Sequence, residues 1–215
     1  MDYISDLDIK EDNKEFLRSL LGKVSSSLDL NLFNHSLNTL LYAEKLVSIN
    51  KVNEKTRFKI YITAILHDYG KKYPEEVQKR IAIANKKYLK ARKNDFEIKS
   101  ILHGFAGAFI VKDEFNIEDD IILNAIKYHT VGQSKMNIVD KIIYVADKIE
   151  IGRDYEGVDY LREMSLKNIN LCLFEVYKNN ILYIIKNNKK VYSQTFNIWN
   201  NICKLYGGLK NGSKR

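Results

Sequence analysis

Apolar residues recur along this chain at steps of three and four, the spacing of one face of an α-helix. Leu37, Leu40, Leu41, Ala43 and Leu46 keep that spacing across residues 35–49. Asn53 suits the cap of a second helix, which runs through Ile60, Ala64 and Ile65 and stops at Gly70. Pro74 fits the first turn of a short helix through Val77 and Ile81, where no N–H is needed. The same period predicts helices near 97–115, 118–129, 137–150, 157–187 and 194–206. VYSQTF at 191–196 breaks it and predicts a non-helical passage before the last helix.

Composition supports an all-α fold. Among 215 residues there is one proline and only ten glycines, too few helix breakers for the tight turns of an all-β protein. No Pro-, Gly- or Ser-rich linker and no repeat interrupts the chain, so one domain is expected, ending in a flexible basic tail, GGLKNGSKR, at 207–215. The N-terminus, MDYISDLDIKEDNKEF, is too acidic for a signal peptide, and no apolar run approaches the ~20 residues that cross a bilayer. Cys172 and Cys203 form no motif and fit a reducing compartment. The expectation is a cytoplasmic protein without a membrane partner. Charge adds one constraint: Lys plus Arg is 35 and Asp plus Glu is 27, leaving +8, which favours a polyanionic partner without choosing one. The densest basic stretch, Lys86, Lys87, Lys90, Arg92 and Lys93, reads as a solvated face.

The candidate chemistry lies in the scarce residues. There are four histidines, His35, His67, His103 and His129, each within or at the end of an apolar helical pattern. Taken singly, each reads as a histidine satisfied by a hydrogen bond; four together, none left to a polar loop, suggest a shared task. His67 and Asp68 end the apolar run IYITAIL. Burying an imidazole and a carboxylate there costs several kcal/mol per ion unless a strong partner is present. A divalent cation is such a partner, and mixed imidazole and carboxylate donors suit Fe, Mn, Co or Zn better than Mg or Ca. Asp147 sits at the seam of the apolar face Ile142, Val145, Ala146 and Ile149, with Glu150 and Arg153 continuing its side. Read alone, it would be an exposed helix carboxylate pairing along the surface. Lys71, three positions after Asp68, and Arg153 are the cations a phosphate beside a metal needs.

The order His35, His67-Asp68, Asp147 resembles the H…HD…D pattern of the HD-domain metal-dependent phosphohydrolases. HDYGK at 67–71, AIKYHTVGQSKM at 125–136, KIIYVADKIE at 141–150 and the trailing Arg153, Gly157-Val158 and Arg162 are similar to the YqeK-type branch. That resemblance runs from about His35 to Trp199 and implies a helical HD-domain bundle over 31–206, preceded by a helical extension at 1–30. It implies symmetrical cleavage of diadenosine tetraphosphate, with water attacking an inner phosphorus and ADP released on each side. His35, His67, Asp68 and Asp147 match the family's primary metal ligands, typically for iron, with Mn or Co as substitutes. His103 and His129 match further histidines that hold a second metal or touch phosphates, Asp68 then being the bridge. Asp68, Lys71 and Arg153 take the catalytic roles, and Lys71, Thr130 and Arg153 meet phosphate oxygens beside His35 and Asp147. Lys190, Val191, Tyr192, Ser193, Gln194 and Thr195 match a segment that approaches the nucleotide. The resemblance also implies a small dinucleoside polyphosphate as partner, rather than nucleic acid, and a homodimer.

Two departures stand out. Leu32 replaces an arginine common in the family three positions before the first histidine, and Ile151 replaces a proline after Ile149-Glu150. Neither touches an expected ligand. The nearest alternative is another HD phosphohydrolase, acting as a nucleotidase or on alarmones or cyclic dinucleotides. A basic helical nucleic-acid-binding domain is the alternative from a different class, though the chain carries no helix-turn-helix, zinc-finger or stacking signature.

Overall fold

Asx side chains open five of the ten α-helices found among the described residues, which contain no strand. The structure, a computed structural model, describes residues 2–212, with side chains to 206. The helices are α1 (Glu11–Ser27), α2 (Leu30–Ile49), α3 (Glu54–Leu66), α4 (Glu75–Ala84), α5 (Lys99–Phe115), α6 (Asp120–Tyr128), α7 (Ile138–Ile149), α8 (Val158–Lys167), α9 (Ile169–Lys186) and α10 (Thr195–Gly212). Asp29, Asn53, Asp119, Asn137 and Asn168 each accept the first free N–H groups of α2, α3, α6, α7 and α9.

Three elements differ from the sequence reading. The helix expected over 157–187 is two helices, because Asn168 leaves helical geometry at φ −160° and ψ 112°. Its side chain then caps α9 through the N–H groups of Asn170 and Leu171. α3 ends at Leu66, before Gly70, and a 3-10 turn spans Tyr69–Lys72. Gly70 is needed there for close approach: a Cβ on it would lie 2.4 Å from the His103 carbonyl oxygen on α5. Pro74 caps α4 rather than entering its first turn. The passage expected at 191–196 is irregular up to Gln194, where α10 begins with Thr195. The backbone of α10 continues to Gly212, and residues 213–215 of the expected tail lie outside the described residues.

α2 packs on α3 and α7, α5 on α4 and α6, and α3 reaches both α6 and α7. α9 covers α7, α10 covers α9, and α1 lies along α3. Leu40, Leu46, Ile60, Ile65, Leu66, Leu102 and Phe105 are almost wholly removed from solvent, and this apolar burial holds the helices together. No described helix is long and apolar enough to cross a membrane. One consequence matters most. The C-terminal ends of α3, α6 and α7 and the N-terminal halves of α2 and α5 meet in the same place, and each brings a histidine or an aspartate there.

Candidate metal centre

His67 follows the last residue of α3 and is fully buried. Its Nδ1–H donates to the Ala64 carbonyl at 2.8 Å; a carbonyl can only accept, so Nε2 keeps a lone pair. His129 follows α6 in the same way, its Nδ1–H donating to the Ile126 carbonyl at 2.7 Å. His35 on α2 directs Nδ1 at Glu150 Oε1, 3.1 Å away, and this leaves its Nε2 free as well. Three imidazoles from three elements are thereby fixed in one tautomer, each with its Nε2 lone pair turned inward.

These lone pairs converge on carboxylates. His35 Nε2 is 3.2 Å from His67 Nε2, 3.0 Å from Asp147 Oδ1 and 3.5 Å from Asp68 Oδ2. His103 on α5 sets its Nε2 3.1 Å from that of His129 and 3.1 Å from Asp68 Oδ1, which His129 Nε2 approaches to 3.4 Å. Apart from these two imidazoles, no donor reaches the buried Asp68 Oδ1. Acceptors packed this closely repel one another unless a cation joins them. Two groups have donor atoms mutually within 4.8 Å: His35, His67 and Asp147, and His67, Asp68 and His129. The residues fit a divalent metal, and the mixed nitrogen and oxygen set suits Fe, Mn, Co or Zn. His129 groups with His67 and Asp68, whereas His103 stands outside both groups, beside His129 and Asp68.

Electrostatics keep the donors in ligand form. Burial pushes the Asp68 carboxyl up, but the surrounding imidazoles of His67, His103 and His129 outweigh it and hold it well below the usual range. Burial likewise opposes ionisation of Asp147, and the Lys148 ammonium with His35 reverses that. Burial drives His67 down to about 3 and lowers His103, so both stay neutral near pH 7. His35 is half-buried, which lowers it, yet Asp147 and Asp68 outweigh this and raise it, so in the absence of a metal a proton is drawn to the same spot.

Two cations border the cluster on its solvent-facing side. Lys71 Nζ is 2.6 Å from Asp68 Oδ2, and Arg153 Nη2 is 2.7 Å from Asp147 Oδ1; their side chains remain 35% and 40% exposed. Arg162 braces the loop that carries Arg153, donating to the carbonyls of Ile149, Glu150 and Arg153 at 2.9, 2.7 and 2.7 Å. Thr130 Oγ1 is buried next to His129 with no hydrogen-bond partner. The 190–195 segment lies at the side. Tyr177 joins it to the turn after His129, its one hydroxyl proton shared between the Val131 and Thr195 carbonyls at 3.1 and 3.4 Å. Ser193 donates its N–H and hydroxyl to Asp95 at 2.8 and 2.6 Å. Val191 and Gln194 are half-buried and Lys190 exposed. Among the described residues, no hydrogen bond joins 190–195 directly to the histidines.

Sequence reasoning left Glu150 and Lys148 out of the site. Glu150 is buried against His35, and its three-residue step from Asp147 was the available signal. Lys148 Nζ bridges Asp147 Oδ2 and the His129 carbonyl at 3.1 and 3.2 Å, which no spacing foretells.

The fold and these residues define a class: an all-helical protein built around a buried histidine and carboxylate centre for a divalent metal. Residues 32–152 match the family model described as HD domain, so the chain belongs to the HD-domain family and is a hydrolase of that kind. The match encloses all four histidines, Asp68 and Asp147. The chain is 39% identical over 142 residues to the symmetrical bis(5'-nucleosyl)-tetraphosphatase of Bacillus subtilis, covering 66% of this chain and 75% of that one. The Staphylococcus aureus protein of the same name is 32% identical over 172 residues, 78% of this chain and 84% of its own length. A crystal structure from Clostridium acetobutylicum, described as a predicted HD superfamily hydrolase involved in NAD metabolism, superposes with a TM-score of 0.78. It is 29% identical, and the alignment covers 87% of this chain and 96% of that one.

Proposed function

We infer that the chain is a symmetrical bis(5'-nucleosyl)-tetraphosphatase, which adds water across the central phosphoanhydride of diadenosine tetraphosphate and releases two ADP. The observation that carries this reading is that three relatives of that name align with 66%, 85% and 78% of this chain. The site supports it chemically. His35, His67, Asp68 and Asp147 are proposed to hold the metal, with His129 and His103 available to a second ion, and iron is the ion we favour over Mn or Co. When bound, the metal supplies Lewis acidity toward water and phosphate oxygens.

The chain's own residues do the rest. Glu150, Ala64 and Ile126 fix the tautomers of His35, His67 and His129, so the donor set needs little reorganisation. Lys71 and Arg153 place positive charge at the solvent-facing edge of the two aspartates, where the polyphosphate's charge must be neutralised. The unpartnered Thr130 hydroxyl is a donor for a phosphate oxygen. ADP leaves as a stabilised anion, so no strong general acid is needed. A reducing cytoplasm suits both ferrous iron and the free thiols of Cys172 and Cys203.

The test is anaerobic purification with elemental analysis, followed by hydrolysis of diadenosine tetraphosphate by protein loaded with Fe, Mn or Co. ADP as the sole nucleotide product is expected. ATP with AMP, or no turnover with any of the three metals, would sink the reading. Asp68→Ala should lose both metal and activity, and full activity in that variant would mean the site is misplaced.

A further inference from the structure

The connection between α4 and α5 carries Lys86, Lys87, Lys90, Arg92 and Lys93, all exposed. Among the described residues, no carboxylate lies within ion-pair distance of any of the five. The lysines flanking this connection are paired, Lys79 with Glu97 at 2.8 Å and Lys99 with Glu75 at 3.1 Å. Of the connection's own two acidic residues, Glu97 is the one taken up by Lys79, and Asp95 is buried and faces inward. Its oxygens accept the Arg92 N–H at 2.5 Å and both donors of Ser193. Five cations are therefore left without a counter-charge.

Their position is also fixed. Asp95 ties this connection to Ser193, and the Tyr192 hydroxyl donates to the Lys90 carbonyl. The Lys90 N–H donates to the Tyr128 hydroxyl at 3.2 Å, and Tyr128 immediately precedes His129. The loops on either side of these bonds thus form one piece beside the histidine cluster, with exposed Lys190 joining the same surface. A merely solvated face would need none of this stitching.

We propose that these two loops form an electropositive rim that collects the polyphosphate chain of the substrate for the metal centre. The proposal rests on the tetraphosphatase reading and adds a determinant of substrate class: capture that strengthens with the number of phosphates. A surface lined by one sign of charge raises encounter rates by about 10 to 1,000-fold, and salt removes the effect. The Debye length is about 10 Å at 0.1 M ionic strength and about 3 Å at 1 M.

The experiment compares metal-loaded wild type with a variant carrying Lys86→Ala, Lys87→Ala, Lys90→Ala and Lys93→Ala together. At low ionic strength, kcat/KM for diadenosine tetraphosphate should fall about tenfold in the variant. The two proteins should converge as salt is raised, which damage to the fold would not produce. Equal kcat/KM at low salt, or salt curves that stay parallel, overturns the rim. So does tight metal-independent binding of a fluorescent single-stranded oligonucleotide that the variant loses while its tetraphosphate kinetics are unchanged. If wild type does not turn over the dinucleotide, the tetraphosphatase reading fails separately. The rim is then read by calorimetric titration of the same dinucleotide into both proteins, where equal affinities overturn it.

Discussion

His35 Nδ1 stands 3.1 Å from Glu150 Oε1, a contact that spans 115 residues of sequence. The carboxylate can only accept, so it places the imidazole proton on Nδ1 and turns the Nε2 lone pair toward Asp147 and His67. Glu150 Oε2 also accepts the Gly152 N–H, which locks the carboxylate itself. Glu150→Gln keeps the shape but weakens the hold on the ring. Metal affinity should fall by roughly 10 to 100-fold, with activity recovering at saturating metal. Metal titration followed by activity reads both, and unchanged affinity would remove Glu150 from the site.

Two glycines should respond in opposite directions to the same change. A Cβ on Gly70 would meet the His103 carbonyl oxygen at 2.4 Å and the Gly107 Cα at 3.0 Å, both backbone atoms that cannot swing away. Gly70→Ala should cost about 1–3 kcal/mol and lower metal content, since the displaced backbone carries His103 and lies next to Asp68. At Gly22 in α1 nothing lies within 4 Å of the added methyl. Gly22→Ala should stabilise by about 0.5–1 kcal/mol, because alanine loses less backbone entropy in a helix. Thermal or urea unfolding of the pair checks both signs.

The helices were legible because their signals are local: apolar residues at steps of three and four, and the Asx cap at Asn53. The join between α8 and α9 was not, because the apolar period continues through it. Only Asn168, equally at home inside a loop or at a cap, marks the break. Gly70 was visible as punctuation, but its cause, the backbone of α5, is more than thirty residues away. The histidines and aspartates were legible by scarcity and order, being polar groups that an apolar helix end has no other reason to carry. Glu150, Lys148 and Asp95 act through partners distant in sequence, and no pattern within one helix encodes those pairs.

Asp140 gives a pH signature separate from the metal centre. It is buried at the start of α7, with Oδ2 accepting the Asn137 N–H and Oδ1 lacking a hydrogen-bond partner. Burial raises its carboxyl from 3.8 to about 6, against the opposing pull of that N–H. The folded chain therefore binds more protons than the unfolded chain between those values, and this group's contribution to stability falls as pH rises through that window. Asp140→Asn can still accept the cap bond and carries no charge. It should gain on the order of 1–3 kcal/mol above pH 6 and little below the lower limit. Unfolding measured at pH 5 and pH 8 tests this. A variant destabilised equally at both would show that the cap, rather than the buried charge, dominates.

Asp95 supports the loops beside the site in a way a single substitution can expose. Its carboxylate accepts the backbone N–H of Arg92 and the N–H and hydroxyl of Ser193, at 2.5, 2.8 and 2.6 Å. Asp95→Asn replaces one acceptor oxygen with an amide that must face an N–H donor, so at least one buried bond is lost. The expected cost is about 1–3 kcal/mol. The damage should be local, because the 190–195 segment also packs on α5 through Tyr192 and Phe105, whose rings lie 5.9 Å apart. Hydrogen exchange should therefore quicken at Lys90 and Ser193 while the amides of α3 and α7 keep their protection. The kinetic consequence should be a higher KM for the dinucleotide with a smaller change in kcat, since the histidine cluster is untouched. Uniform loss of protection would instead mean that the pairing of these loops holds up the whole fold.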